Sequence, residues 1–292
     1  VTQVDPHRSE RGYLEWLAIE LPAGETVIEA RPLAGATTAE LYDLTVGRPG
    51  GPERRLVLRW YADQDFLRGE PGIVEREVAA LRALAVAGTS GVPAPELVAS
   101  GPAAILMTHL PGRIELDPPD PAALLDMLDS IHRVDPGPLR AHRYVGYHEG
   151  VELARPSWWR DAGSWERAVC QTETARPTGP DRFIHRDFHP GNVLWTGREV
   201  SGVIDWGSAC VGPAAVDLAH FRVNLAVLHG IDAADRIGSG DPAWDIELAF
   251  GFVDWASQAA VDAWEGPSPH VAPPIARDRL EAFVARAIAR LG

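Results

Sequence analysis

The stretch from Phe183 to Asp217, FIHRDFHPGNVLWTGREVSGVIDWGSACVGPAAVD, limits what this chain can fold into more than any other part of it. Three short apolar runs, FIHRDF, NVLW and VSGVIDW, predict strands set around loops. Pro190 and Gly191 keep the first loop out of a helix, so Asp187 and Asn192 can converge. Asp205 follows Asn192 by 13 positions, near the end of the third run. A second reading uses other residues of the same stretch. His185, Asp187 and His189 alternate, and on a strand they would point one way, as in a metal-hydrolase triad. That reading gives Pro190, Gly191, Asn192 and the Ile-Asp-Trp run no role.

The elements around this stretch divide the chain. Tyr13, Leu14, Trp16 and Leu17 have helical spacing within 10–20. TVIEARPL, ELYDLTVG and RRLVLRWY predict three strands, separated by the turn GATTA and the hairpin loop RPGGPE. Residues 72–87 carry Ile73, Val74, Val78, Leu81 and Leu84 at helical spacing, and the short apolar runs LVAS and AAILMTHL predict two further strands. Beyond Pro111–Gly112 the character changes. Residues 121–134 predict a helix opened by a proline, 157–175 another, and from Ala214 onward the chain predicts helices over AVDLAHFRVNLAVLHG, WDIELAFGFVDWASQAAVDAW and RDRLEAFVARAIARL. A β-rich first third thus meets a helical remainder near Thr108–Pro111, and ligand sites favour such junctions.

Composition removes several classes. The chain has 27 basic and 41 acidic residues and a formal net charge of −14, which argues against nucleic acid and weakly favours a cationic small molecule. It has no lysine, and therefore no GxxxxGK phosphate loop, Schiff-base lysine or pyridoxal-phosphate anchor. Cys170 and Cys210 belong to no CxxC or Cys/His cluster and are expected to be free thiols. No apolar run approaches the roughly 18–20 residues that span a bilayer. Val1–Glu10 lacks the layout of a signal peptide, so a soluble cytoplasmic protein without a membrane partner is expected.

The residue types of the 183–217 stretch suit phosphoryl transfer. That chemistry needs from a protein a carboxylate that orients the attacking hydroxyl, and hard oxygen ligands for the Mg²⁺ bridging the phosphates. Asp187 suits the first role as catalytic base; Asn192 and Asp205 suit the second. The motif H-x-D-x-x-x-x-N followed by Ile-Asp-Trp resembles the aminoglycoside phosphotransferase family, relatives of choline kinases and, more distantly, of protein kinases. The likeness runs from about Ala30 to Asn224. The family usually has glycine where Arg186 stands, and His-Arg-Asp is the protein-kinase form. Ile204-Asp205-Trp206 stands where protein kinases have Asp-Phe-Gly. Asp217-Leu218-Ala219 also matches the family, whose Asp steadies the catalytic loop, and His185 is expected to be structural.

The resemblance implies a protein-kinase-like two-lobed α+β fold: a β-rich N-lobe over 1–107 as nucleotide clamp, a hinge at 108–112, and a mostly helical C-lobe over 113–292. Gly35, Thr37 and Thr38 would cover the phosphates of ATP or GTP through backbone N–H groups. Arg59, in place of the usual lysine, would reach the phosphates and pair with Glu77, or less favourably Glu75. Thr108 and Leu110 would hydrogen-bond the base. Acceptor contacts would come from the helical C-terminal part. Between Ile237 and Ala276 lie Asp241, Asp245, Glu247, Asp254, Asp262 and Glu265 with Trp244, Trp255 and Trp264, and no Arg. Acids with aromatics suit an amine, and Glu247 and Asp254 are the candidate substrate contacts, with Trp158 and Trp159 as pocket walls. The activity implied is Mg²⁺-dependent transfer of the γ-phosphoryl group to a hydroxyl of an aminoglycoside or related antibiotic. Alternatives are phosphorylation of a metabolite such as an amino alcohol or sugar, and nucleotide or ligand binding without turnover. Oligomeric state is not legible.

Overall fold

A computed structural model describes residues 6–33, 38–86, 91–146, 149–150, 152–174, 179–253 and 271–291. Helix α1 (Pro6–Glu20) precedes strands β1 (Thr26–Leu33), β2 (Glu40–Gly47) and β3 (Glu53–Trp60). Helices α2 (Gln64–Gly69) and α3 (Ile73–Val86) follow, then β4 (Leu97–Gly101) and β5 (Ala104–Thr108). The five strands form one antiparallel sheet in the order β1-β2-β3-β5-β4.

Strand periodicity decides what this sheet presents on each face. Leu56 and Leu58 of β3, with Ala104 and Leu106 of β5, join Leu44 and Val46 of β2 and bury Tyr13, Leu17 and Leu21 from α1 and the turn after it. Ile105 and Met107 of β5 point the other way, into a second core with Val74, Val78, Leu81 and Leu84 of α3. Arg59 has the parity of Val57, so it too faces α3. Its position opposite Glu77 follows from the alternation of one strand and the 3.6-residue turn of one helix. Helix α2, capped by the Asp63 carboxylate on the amides of Asp65 and Phe66, was not expected from the sequence.

The rest is helical around small sheets. Helices α4 (Pro121–His132), α5 (Ala162–Thr174), α6 (Ala215–His229), α7 (Ile231–Arg236), α8 (Pro242–Phe250) and α9 (Pro273–Leu291) surround β6 (Arg113–Ile114), β7 (Asp181–Ile184), β8 (Val193–Thr196), β9 (Glu199–Val203) and β10 (Cys210–Pro213). Strand β7 pairs with β10, and β8 lies between β6 and β9. Helix α6 is central: 11 of its residues, including Asp217, His220 and Arg222, are buried. At Gly112 the backbone has φ 115, and a Cβ there would run into Ser201 Oγ and come within 2.9 Å of the Trp195 carbonyl oxygen. Glycine therefore lets the 108–112 connection lie against the β8–β9 hairpin, where Ser201 Oγ donates to the Pro111 carbonyl at 2.7 Å.

Several expectations are corrected. FIHRDF is a strand only to Ile184, because Arg186 takes φ 69, and VSGVIDW is a strand only to Val203, because Asp205 takes φ 65; neither value fits a strand. The helix expected over 157–175 begins at Ala162. Asp161 opens it by accepting from the Ser164 amide, and Glu281 of α9 holds the Arg160 and Asp161 amides in the loop before it. The helix expected from Trp244 onward ends at Phe250, and Asp254, Trp255, Asp262, Trp264 and Glu265 lie outside the described residues, as do Gly35 and Thr37. Trp159 is core, buried with its indole N–H on Ser164 Oγ at 3.1 Å, and does not wall a pocket. Cys210 is buried, Cys170 is exposed, and the two form no disulfide. Among the described residues no helix is long and apolar enough to cross a membrane.

Candidate active site

The loop after β7 is anchored from below by one buried carboxylate. Asp217, on the first turn of α6, accepts from the His185 amide at 3.0 Å, from the Arg186 amide at 2.6 Å and from His132 Nε2 of α4 at 2.9 Å. These bonds hold the chain in the left-handed conformation at Arg186, which a residue with a Cβ rarely adopts unaided. The Arg186 guanidinium adds a bond to the Val145 carbonyl at 2.9 Å and lies over the Tyr144 ring. The turn delivers Asp187 to the opposite side, where its side chain keeps about a third of its surface exposed (33 %).

Both Asp187 oxygens have partners. Asn192, on the 3-10 turn Pro190–Asn192, donates its amide nitrogen to Asp187 Oδ2 at 3.2 Å and to the Asp187 carbonyl at 2.9 Å. His220 Nε2, from α6, lies 3.0 Å from Oδ1, and His189 Nε2 lies 3.9 Å from the same oxygen. Burial works to raise the Asp187 pKa, but the His220 hydrogen bond and the neighbouring imidazoles outweigh it, and the carboxyl sits well below the usual range. His189 accepts from the Gly191 amide at 3.1 Å through Nδ1. Its ring folds so closely over Gly191 that a Cβ there would lie 2.6 Å from Cε1. Burial pushes His189 down to about 4, so it is neutral at pH 7.

The second acidic position is tied to the first through backbone. Ile204 donates its amide to the Asn192 carbonyl at 3.0 Å, and its carbonyl accepts from His185 Nε2 at 2.9 Å. Asp205 is thus carried on the same frame as Asn192. Its left-handed conformation is one that aspartate tolerates. The His185 ring is buried against Trp206, 4.4 Å between centroids. It is turned into structure rather than toward Asp187, which removes the premise of the H-x-D-x-H triad. Among the described residues no group of three or more His, Cys, Asp and Glu side chains is placed to hold a metal.

Arg59 links the sheet to this frame. Its Nη1 donates to Asp205 Oδ1 at 2.7 Å and lies 3.3 Å from Glu77 Oε2. Glu77, not Glu75, is the partner, and it is buried. Burial works against the charge of Arg59, and the two carboxylates more than restore it. Glu77 is pushed up to about 7, first by burial and further by Asp205, with Arg59 opposing. The Arg59 Nε is buried and, among the described residues, has no hydrogen-bond partner. Arg76 of α3 fastens the same region by donating Nε to the Gly207 carbonyl at 3.1 Å.

The remaining expected positions are scattered. At the junction the Thr108 amide donates to the Glu96 carbonyl at 2.9 Å, and Thr108 Oγ1 accepts from the Glu96 amide at 2.9 Å. Thr108 can therefore offer a base its carbonyl but not its N–H. Leu110 follows in the 108–112 connection, and Thr38 is exposed two residues before β2. Of the acids past Ile237, Asp241 caps α8 on the Ala243 amide, and Asp245 is buried against Arg222 at 2.9 Å and Arg290 at 3.1 Å. Both side chains are thus engaged within the C-terminal helices. Glu247 is partly exposed and sits beside Gly146, with its charge felt by Tyr144. His220 and His132 were not expected from the sequence. The one signal was spacing, since His220 lies three residues after Asp217 on a predicted helix and so shares its face.

The loop and metal-type residues of the sequence motif stand together in one frame, and a profile of the phosphotransferase enzyme family matches residues 29–224. The chain belongs to the phosphotransferase enzyme family. This phosphotransferase resembles aminoglycoside phosphotransferase APH(4)-Ia, a thermostable mutant solved with AMP-PNP and hygromycin B, with a TM-score of 0.61 and 17 % identity over 94 % of this chain and 98 % of that one. It also resembles spectinomycin phosphotransferase solved with ADP and spectinomycin, with a TM-score of 0.57 and 13 % identity over 92 % and 98 %. At these identities the likeness fixes the fold, which is protein-kinase-like and α+β. A homoserine kinase of Rhizobium rhizogenes is 28 % identical over 146 residues, 39 % of this chain and 42 % of that protein. One of Methylocella silvestris is 52 % identical over 40 residues, 14 % and 12 %. The match thus spans less than half the length of these curated relatives.

Proposed function

We propose that this phosphotransferase moves the γ-phosphoryl group of ATP or GTP, with Mg²⁺, to a hydroxyl of a small molecule. The observation that carries the proposal is the shared frame of Asp187, Asn192 and Asp205: Asn192 bonded to Asp187, and Asp205 tied to Asn192 through Ile204. Asp187 orients the acceptor hydroxyl and accepts its proton. Its low pKa suits orientation more than strong basicity, which is what a loose phosphoryl-transfer transition state asks for.

Mg²⁺ fits the donor set. With its amide nitrogen on Asp187, Asn192 has its oxygen for a metal, and Asp205 Oδ2 receives no hydrogen bond from the described residues. Two hard oxygens match a metal that takes most of its ligands from phosphates and water. When bound, Mg²⁺ neutralises charge on the phosphates. Arg59, positioned by Glu77, lies on the α3-facing side of the sheet where it can bind a phosphate oxygen. Gly35, Thr37 and Thr38 cover the phosphates, and the base lies at the junction against the Thr108 carbonyl and the Leu110 amide.

For the acceptor, an amine-bearing molecule is supported by the net charge of −14 and by Glu247, with Asp254 as a further contact. An aminoglycoside or related antibiotic is the leading class, in keeping with the ligands of the structural relatives. An amino alcohol is the second reading, favoured by the homoserine-kinase matches. The test is nucleotide consumption with Mg-ATP and Mg-GTP over hygromycin B, spectinomycin and homoserine, in wild type and D187N. We expect D187N to lose at least about 10²-fold in kcat. Unchanged consumption in D187N would overturn the role of Asp187, and no consumption by wild type with any acceptor would favour nucleotide or ligand binding without turnover.

A further inference from the structure

We propose that His220 is a positioning residue for phosphoryl transfer, fixing the Asp187 carboxylate from the side opposite Asn192. The inference rests on Asp187 as the residue that meets the acceptor hydroxyl. His220 lies on α6 three positions after Asp217, and these two side chains rise from one face of the helix. Asp217 holds the backbone of His185 and Arg186, and His220 reaches the carboxylate of the next residue. One helical turn therefore sets both the path of the loop and the plane of the group at its tip.

The chemistry of the contact fixes its direction. A carboxylate only accepts, and Asp187 already takes the Asn192 amide on Oδ2, so His220 Nε2, 3.0 Å from Asp187 Oδ1, carries the hydrogen. Its other ring nitrogen, Nδ1, is buried with no hydrogen-bond partner among the described residues. A buried polar atom left unpaired costs free energy. The ring is kept in place by its other bond and its packing: the Phe252 ring lies 5.3 Å away and that of His189 6.1 Å. Asn224, a further turn along α6, donates to the His220 carbonyl at 2.9 Å. With Asn192 on Oδ2 and His220 on Oδ1, the carboxylate cannot rotate about its last bond without breaking a hydrogen bond. Each oxygen keeps a second lone pair for the acceptor. Misplacement of a reacting group by about 1 Å costs on the order of 10²-fold in rate, and that is the loss this contact guards against.

The experiment compares H220L, H220Q and H220N with wild type. Mg-ATP turnover is followed with hygromycin B, spectinomycin and homoserine, and with water alone as acceptor. Glutamine places an amide N–H at nearly the reach of imidazole Nε2; asparagine falls short by one bond. We expect kcat to fall about 10²-fold in H220L with the KM for ATP within about twofold of wild type. H220Q should recover to within about tenfold of wild type, and H220N should not. Should H220L fail to fold, the glutamine–asparagine pair decides alone. Wild-type kcat in H220L, or equal impairment of H220Q and H220N, overturns the inference. D187N separates the two levels. If it is inactive while H220L is not, only the role of His220 falls; if it is active, the assignment of Asp187 falls and takes that of His220 with it.

Discussion

At the scale of single residues the unusual group is Arg59, one guanidinium nitrogen shared by two carboxylates. Glu77 bears the consequence. Its pKa is pushed to about 7 from an ordinary value of 4.5. The folded state therefore binds more protons than the unfolded chain between those values, and stability falls as pH rises from about 4.5 through 7. In E77Q this contribution is gone. Urea midpoints at pH 5 and pH 8 should show wild type losing on the order of 1 kcal/mol relative to E77Q across that interval; parallel curves would contradict it. Arg59 and Glu77 could be named from the sequence because a strand and a helix have fixed periods, and those periods put the two side chains on facing surfaces. His220 could not be singled out that way. A histidine within an apolar helix reads as core, and only the path of a loop 33 residues earlier in the chain makes it a neighbour of Asp187.

At the scale of elements, α6 organises the centre of the molecule. Its Asp217 is fully buried and accepts three hydrogen bonds, two of them from backbone amides. In D217N one oxygen becomes an N–H group facing a donor. The expected loss is about 2–4 kcal/mol by urea denaturation, with kcat falling as the 185–187 turn relaxes. Long periodic elements such as α3, α4, α6 and α9 were legible in the sequence, as were the five strands of the first sheet. Strand β6, of 2 residues, has no period to read, and β10 runs through Gly212-Pro213, a pair that reads as a turn. The ends of β7 and β9 were missed for another reason. Arg186 and Asp205 stand within two residues of apolar, strand-like Ile184 and Ile204, and at Arg186 the positive φ is held by the bonds of Asp217 rather than by local preference.

At the scale of the molecule, the cores do not divide at the 108–112 connection. One cluster runs from Ile105 and Met107 of the first sheet through α3 to Leu124, Leu128, Phe183, Phe188, Trp206 and Phe221. Helix α3 is hydrogen-bonded to the turn after Asp205 through Arg76. The two halves should therefore unfold together. Far-ultraviolet circular dichroism and tryptophan fluorescence are expected to report coincident urea transitions, whereas halves with separate cores would give two.

The same crossing has a consequence for how ligands enter. Asp205, a proposed metal ligand, is already neutralised by a cation reaching over from the sheet, 2.7 Å away. A bare divalent ion would have to compete with that guanidinium for the carboxylate. A nucleotide carrying the ion brings anionic oxygens for the guanidinium to move onto, so both partners of the pair are satisfied at once. Calorimetry should thus find little heat from MgCl₂ alone, and binding when ADP is present; tight binding of the ion by itself would rule this out. The pair would then act as a latch that opens to the loaded nucleotide and stays closed to its parts.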